Sequence, residues 1–433
     1  MRIAVDLSSL QGPHRMRGIG YTLINLINNL SPEARKEHYF IFFLSGDSGS
    51  ADDTLKILEL DGLQYEVRQL GPKRRSHRRL RGRLQMLVNA YNNLLELRDS
   101  YFGDPRFNEL DGTDAFLQTD QSQGLPRKRG IRKVLVIYDI IPYVLEWDYM
   151  WSYRTARIHG FPPKAALRCH ARRKLYAYKL RVISRRANKL LAISECTKKD
   201  FVEKLGVRAD KILVTPLGVN LPDNALKAPS LKRYAATSWG YSPRPYKLDA
   251  DTPFILFVGG ADHRRRLRDL VTAFNHLRAE GYELKLVLAG DSMQGPLHIS
   301  TAETQHALSA SSYLDDIIFM GFVDDEQRDW LYANALTFIF PSKYEGFGLP
   351  VLEAMIHRCP VIAYDNSATR EVARDLPIYA QDYKGLMIAV KDLMNSSKKD
   401  IERIKDRGYV HAKKYDWRTT TKKVLDALDQ PHK

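Results

Sequence analysis

Hydrophobic runs of β character alternate with helix-period stretches along most of the chain. In the first half RIAVDL (2–7), YFIFFL (39–44), LQYEVRQL (63–70), KVLVIY (133–138) and KLLAIS (189–194) are short, apolar and rich in branched or aromatic residues, which predicts strands. Between them, YTLINLINNL (21–30) and LRGRLQMLVNAYNNLLELRDSYF (80–102) repeat apolar residues with helical spacing. The pattern lapses over 221–252, a stretch rich in Pro, Ser and polar residues that reads as a linker with an ordered piece around 234–241. A second series follows: FILFVGG (254–260), LKLVLAG (284–290), DIIFMGFV (316–323), LTFIFPS (336–342) and CPVIAYD (359–365), each ahead of a helical stretch. The tail KKYDWRTTTKKVLDALDQ reads as a last helix. Strands alternating with helices imply parallel pairing through helical crossovers, so the expected class is α/β. The expected divisions are a first domain over 1–220, the linker over 221–252, a second domain over 253–415, and a terminal helix over 416–433.

Composition narrows this little until charge is considered. A 433-residue chain with 44% hydrophobic residues has ample material for two globular cores. Its three cysteines, Cys169, Cys196 and Cys359, show neither zinc nor redox spacing, so reduced thiols and a cytoplasmic setting are expected. The opening MRIAVDLSSL is too short an apolar run for a signal peptide, and no run reaches the length of a membrane span. The net charge of +16 is unevenly placed. Residues 1–220 hold 38 basic against 23 acidic side chains, and the remainder 29 against 28. The first half is therefore expected to meet an anionic partner: membrane lipid, nucleic acid or a phosphorylated acceptor.

Three stretches of the second half carry candidate chemistry. In FPSKYEGFGLPVLEAM (340–355) a strand ends at Ser342 and a glycine turn leads to Pro350, a residue suited to the first helical turn. Backbone N–H groups around Gly348, Leu349 and Val351 are expected to face outward as phosphate donors. Glu345, and Glu353 in the first turn, are acceptor-only groups that suit vicinal hydroxyls. A capped helix with an incidental early glutamate has the same spacing. In VGGADHRRRLRDLVTAF (258–274), glycines allow close backbone approach and arginine forks suit a diphosphate. In MGFVDDEQRDWLYANA (320–335), backbone near Phe322 and Val323 could meet a nucleobase edge.

Taken in order, VGG…RRR, GFVDDEQRDWLYANA, FPSKYEGFGLPVLEAM and PVIAYDNSATREV resemble the retaining, nucleotide-sugar-dependent glycosyltransferases of family 4. The likeness extends to RGIGYTLINLINNL (17–30), VLVIYDIIPY (134–143) and LLAISECTKKDFVEKLGVRADKILVTPLGVN (190–220), and is poor over 46–130 and the linker. It implies the GT-B fold: two Rossmann-like domains facing across a cleft, the first for acceptor and the second for donor, with the terminal helix crossing back to the first. By resemblance, Glu353 holds the donor ribose and Glu345 approaches the transferred sugar. The backbone of Gly346, Phe347, Gly348 and Leu349 contacts sugar and phosphate. Arg264 and Arg265, behind Gly260, hold the diphosphate; Phe322 and Val323 lie beside the base; Gly18 and Gly20 border the donor and acceptor cleft. The catalytic set implied is Glu345, Arg265, Tyr138 and Asp139. Two positions depart from the family pattern: Tyr138 stands where many relatives have His, and Arg264–Arg266 replace an Arg-Lys pair.

The implied reaction moves a hexose, with mannose from GDP-mannose leading, to a saccharide on a polyprenyl-diphosphate carrier, as in bacterial O-antigen and capsule mannosyltransferases. UDP- or dTDP-sugars are the alternative donors. A GT-B epimerase and a basic nucleic-acid or scaffold protein are the other classes weighed. No metal or other cofactor is expected, because no DxD-like pair sits at a strand end and arginines supply the charge. No nucleic-acid module is recognised. The segment 71–102 joins a cationic run to a helix with Leu80, Leu84, Leu87, Val88, Tyr91, Leu94 and Leu95 on one face, and RCHARRKLYAYKLRVISRRANK (168–189) is a second basic run. Both suit an anionic bilayer surface, placing the protein peripherally on the cytoplasmic face.

Overall fold

The computed structural model describes residues 1–12, 18–46, 51–71, 83–107, 109–222, 230–234, 245–249, 253–290 and 302–430. The chain divides into two compact units, Met1–Gly218 with Trp417–Lys433, and Val219–Asp416.

In the first unit seven parallel strands form one sheet. They are β1 (Arg2–Asp6), β2 (Tyr39–Ser45), β3 (Gln64–Leu70), β4 (Ala115–Gln118), β5 (Arg132–Ile137), β6 (Lys189–Ala192) and β7 (Ile212–Val214), in the order β3-β2-β1-β4-β5-β6-β7. Ile3 of β1 stands opposite Phe40 of β2 and Ala115 of β4, which sets the central register. β4 and β7 were not among the expected strands. At four and three residues they are too short for a period to show, yet β4 is buried throughout at the sheet centre. The core joins Ile41, Phe43, Phe116, Leu135, Leu180 and Phe201 from strands and covering helices.

The last helix, Trp417–Asp429, belongs to this first unit. Arg132 of β5 donates to the Ala427 carbonyl at 2.5 Å, and Thr420 Oγ1 to the Pro216 carbonyl at 2.7 Å. Trp417 is buried and meets Tyr21 edge-on with ring centres 6.0 Å apart. A Cβ at Gly218 would fall 2.3 Å from the Trp417 backbone nitrogen, so only glycine fits beneath that ring. The terminal helix thus returns to the first unit, as expected.

Between the units' sheets in sequence, β8 (Ser230–Tyr234) and β9 (Pro245–Asp249) form an antiparallel pair. The stretch 235–241, most of the ordered piece expected in the linker, lies outside the described residues, as does the basic run 72–82.

The second unit has β10 (Phe254–Val258), β11 (Lys285–Ala289), β12 (Ile317–Gly321), β13 (Thr337–Phe340), β14 (Val361–Tyr364) and β15 (Ile378–Ala380), all parallel, in the order β12-β11-β10-β13-β14-β15. Only the three-residue β15 was not expected. Both sheets start near their middle, run to one edge, return, and continue to the other edge. This is the Rossmann order, and it creates a switch point between β1 and β4 and another between β10 and β13. Ligands in open α/β sheets bind outside strand carboxyl ends at such points.

Candidate functional site

At the second switch point the loops after β10 and β13 interlock. Gly259 has φ +144° and Gly290 φ +148°, conformations that L side chains rarely adopt. A Cβ on Gly259 would lie 1.6 Å from Arg265 Nη1, and one on Gly290 2.0 Å from the Gly259 oxygen. Two bare glycines therefore let Arg265 lie against the strand end. The adjoining turn His263–Arg265 places Arg264 beside it, and Lys343 N–H donates to the Arg264 carbonyl at 2.8 Å. Glu345 then sits between both guanidiniums. Its Oε1 accepts from Arg264 Nη1, lies 3.6 Å from Arg265 Nε, and accepts from Ser342 Oγ at 2.8 Å. Asn366 ties in β14 by donating to the Ser342 carbonyl at 2.8 Å. Glu345 is 8% exposed, so this is a nearly buried carboxylate between two cations, with Asp262 4.0 Å from Arg264 on its other side.

Beside it Gly346, Phe347 and Gly348 are buried, with Phe347 against Tyr415. Gly348 is left-handed at φ +103° and caps the helix Leu349–Ile356, whose first turn has no side-chain cap. That leaves a helix start suited to an anion. Two details differ from expectation. The Val351 N–H is engaged by the Gly348 carbonyl at 2.9 Å, so it does not face a ligand. Glu353 falls in the second turn, because the helix begins at Leu349.

The surroundings of Glu353 were not anticipated. Tyr332, fully buried, donates its hydroxyl to Glu353 Oε2 at 3.2 Å. His357 stacks on Tyr332 with centres 5.6 Å apart, reaches the Glu353 carbonyl through Nδ1 at 2.7 Å, and brings Nε2 to 3.2 Å from Asp329. Burial pushes the Glu353 carboxyl above its ordinary range, with Arg328, Tyr332 and His357 pulling the other way. Burial also raises Asp329, but His357 and Arg328 outweigh it and leave that carboxyl below its usual value. The available signal was the Tyr in LYANA and a His four residues after Glu353.

Phe322, exposed, and Val323 follow β12 at the far end of the same edge, just before a capping box of Asp324 and Gln327. Gly260 follows β10 next to Gly259. Arg266 adopts φ +47° as the chain turns into helix Leu267–Ala279.

The remaining candidates are in the first unit. Gly18 and Gly20 open the helix Gly18–Asn28. Tyr138 and Asp139 follow β5. Tyr138 is buried, its N–H donates to Gln121 Oε1 at 2.8 Å, and its carbonyl accepts from Thr197 at 2.5 Å. Its hydroxyl faces Thr22, one turn along from Gly18, without a well-formed hydrogen bond, and burial pushes the phenol well above its usual value. Asp139 accepts from the Ile141 N–H at 2.9 Å and so caps the next turn. The structure thus brings Arg264, Arg265, Glu345 and the 346–349 backbone into one cluster in the second unit and, within the first unit, Tyr138 to the glycine helix. Among the described residues, no group of three or more His, Cys, Asp or Glu is placed to hold a metal.

Residues 242–423 match the family described as glycosyl transferases group 1. The second half of the chain is a group 1 glycosyltransferase domain. The chain is 27% identical over 255 residues to the O-antigen chain mannosyltransferase B of Escherichia coli, covering 56% of this chain and 60% of that protein. It is 29% identical over 200 residues to the serotype-specific mannosyltransferase WbdA of E. coli, 46% of this chain and 23% of that one. The chain therefore spans less than two thirds of the length of these curated relatives. Anabaena HepE, solved with UDP and glucose, superposes with a TM-score of 0.61 at 14% identity over 99% of both chains. The group 1 domain and its partner sheet together have the GT-B architecture, with Arg264, Arg265 and Glu345 at the second unit's switch point.

Proposed function

We propose that the chain is a retaining glycosyltransferase that moves mannose from GDP-mannose to a lipid-linked saccharide during cell-surface polysaccharide synthesis. The observation that carries this reading is the interlocked edge of the group 1 domain, where Arg264, Arg265 and an uncapped helix start converge beside Glu345. The leaving group of a nucleotide sugar is a diphosphate, whose negative charge grows as the glycosidic bond breaks. Fixed guanidiniums and backbone N–H groups stabilise that charge without reorganising during the reaction. Glu345, already spent on two arginines and Ser342, acts as an orienting acceptor for sugar hydroxyls. Glu353, steadied by Tyr332, holds the ribose, and Phe322 and Val323 flank the base. Retention follows from same-face attack assisted by the leaving phosphate, so the two glutamates are not an acid-base pair. Tyr138 and Asp139 border the hexose and acceptor, with Gly18 and Gly20 beside them.

Mannose is supported by the two E. coli relatives, both mannosyltransferases. The basic first half supports an acceptor at an anionic membrane surface, on its cytoplasmic face. No helix among the described residues is long and apolar enough to cross a membrane. A thermal-shift panel of GDP-, UDP-, dTDP- and ADP-sugars tests the reading. Stabilisation by GDP-mannose above the others supports it, a UDP- or dTDP-sugar response moves the donor, and silence from all four removes the glycosyltransferase assignment.

A further inference from the structure

We propose that the segment joining β5 to β6 is the surface by which the first unit docks on an anionic lipid bilayer. From Tyr149 to Ser194 the chain has twelve Lys or Arg and no Asp or Glu. The stretch leaves the carboxyl edge of the sheet just after Tyr138 and Asp139, passes through helix Tyr153–Ile158, and returns along helix Pro163–Arg186.

Its beginning is a built knob. Glu146 accepts from Ser152 Oγ at 3.0 Å and from Thr155 Oγ1, and pairs with Arg173 at 3.2 Å. Arg173 also covers the Tyr143 ring at 3.8 Å and donates to the Tyr143 carbonyl at 3.0 Å. Glu146 is thus turned inward and satisfied, and Asp148, on the other side of Trp147, is half-buried. Outside it, Trp151 stacks on His159 at 4.8 Å, meets Phe161 edge-on at 4.8 Å, and gives its indole N–H to the Trp147 carbonyl at 3.0 Å. What faces water is apolar: Trp147 is 52% exposed, and Ile158 and Leu167 are each 60% exposed. Arg154, Arg157, Lys164 and Arg168 are exposed around them.

An exposed apolar patch whose own helices carry four exposed cations, with a half-buried Asp148 as the acid beside Trp147, is an interaction surface rather than a solvated one. Its charge selects an anionic partner. Its aliphatic side chains select one with hydrocarbon beneath the charge, which a nucleic acid or a saccharide lacks. A bilayer of acidic lipid offers both, with tryptophan at headgroup depth and cations at the phosphate layer. The inference deepens the proposed function by naming the docking surface, and it rests on that reading only for the acceptor being lipid-linked.

The test is flotation of the full chain with vesicles of phosphatidylglycerol in phosphatidylcholine, against phosphatidylcholine alone. Wild type floats with the acidic vesicles only, and salt releases it. Trp147→Ser with Ile158→Ser lowers the vesicle partition coefficient by about a hundredfold or more, the scale of two buried apolar side chains lost. Arg154→Gln with Arg157→Gln removes the preference for acidic lipid. Tyr91→Ser with Leu94→Ser, on the exposed face of helix Arg83–Phe102, the competing bilayer surface that the sequence suggests, leaves flotation intact. Each variant is also melted with and without the nucleotide sugar that stabilises wild type, so a misfolded variant is recognised. Wild type staying soluble with both vesicles overturns the inference. So does loss of flotation in the Tyr91/Leu94 variant while the Trp147/Ile158 variant floats. Capture of wild type by a soluble oligomannoside, lost in the Trp147/Ile158 variant, reassigns the patch to saccharide. Flotation that depends on the patch, with no nucleotide-sugar response, preserves this inference and defeats the proposed function instead.

Discussion

The carboxyl edges of the two sheets are built from the same strand order but finished differently. In the second unit, side chains converging on the switch point are bound to each other: Arg264 and Arg265 to Glu345, Glu345 to Ser342, and the Ser342 carbonyl to Asn366. In the first unit, Gln118 donates to Asp6 and Gln121 accepts from the Tyr138 N–H, while the hydroxyls of Ser9, Thr119 and Tyr138 are buried without a hydrogen bond, as is Thr369 Oγ1 in the second unit. A charged, interlocked edge holds its geometry before any ligand arrives, which is what stabilising a departing diphosphate requires. An edge with unsatisfied hydroxyls carries a desolvation cost that a partner's own polar groups would offset. The contrast is between an edge tied by arginine–carboxylate pairs and one that holds three buried, unbonded hydroxyls.

The sharpest way to break the contrast is to disturb the preset edge. Arg265→Gln should lower turnover about 10²- to 10³-fold, the scale of removing one fixed stabiliser of transition-state charge. Gly259→Ala should reproduce that loss without touching a functional group, because its Cβ would occupy the place of Arg265 Nη1. Steady-state transfer kinetics check both. Wild-type rates in Gly259→Ala would mean that the position of Arg265 does not matter.

Glu345→Gln comes next. It keeps a partner for Ser342 but removes the negative charge that lies between two guanidiniums. Turnover should fall about 10²-fold, whereas affinity for the nucleoside diphosphate holds or tightens, since the freed arginines face a competing anion. Calorimetric titration of nucleotide against the kinetic loss separates the two effects.

A smaller effect is expected at Tyr332. Removing one hydrogen bond to a carboxylate is worth about 1–2 kcal/mol, so Tyr332→Phe should weaken ribonucleotide binding by roughly tenfold. A 2′,3′-dideoxy analogue should bind both proteins alike, because the lost bond acts only through Glu353. Acidity adds a second readout. Glu353 titrates above its ordinary value of 4.5, so donor affinity should fall on acidification with a midpoint above that value. The Tyr332 bond lowers this carboxyl, so Tyr332→Phe should move the midpoint higher still.

These residues also show how far sequence reading reached. Strands of five to seven residues such as YFIFFL and FILFV were legible from their hydrophobicity, whereas β4, β7 and β15 were too short to show a period and exist through pairing with longer neighbours. The charge cluster was legible because glycine, proline and arginine have few other reasons to gather at a strand end. Tyr332 was not, since its hydroxyl meets a carboxylate 21 residues away and its ring reads as ordinary core. The knob at Trp147 and Trp151 was hidden similarly: aromatic residues near a helix start suggest burial, whereas Trp147 is half exposed.

The smallest effect tests the comparison most directly, by removing one hydroxyl from each edge. Ser342 is fully buried and donates to Glu345, so Ser342→Ala should destabilise the protein by about 2 kcal/mol, the scale of a hydrogen bond to a charged group. Thr119 is equally buried, directly after β4, but its hydroxyl has no partner. Thr119→Val keeps the shape and removes only an unsatisfied group, so stability should be unchanged or slightly higher. Chemical denaturation of both variants decides it. Equal losses would mean that the first edge is as fully bonded as the second and that the two switch points do not differ in kind. A loss at Ser342 alone would locate the preset chemistry in the second unit.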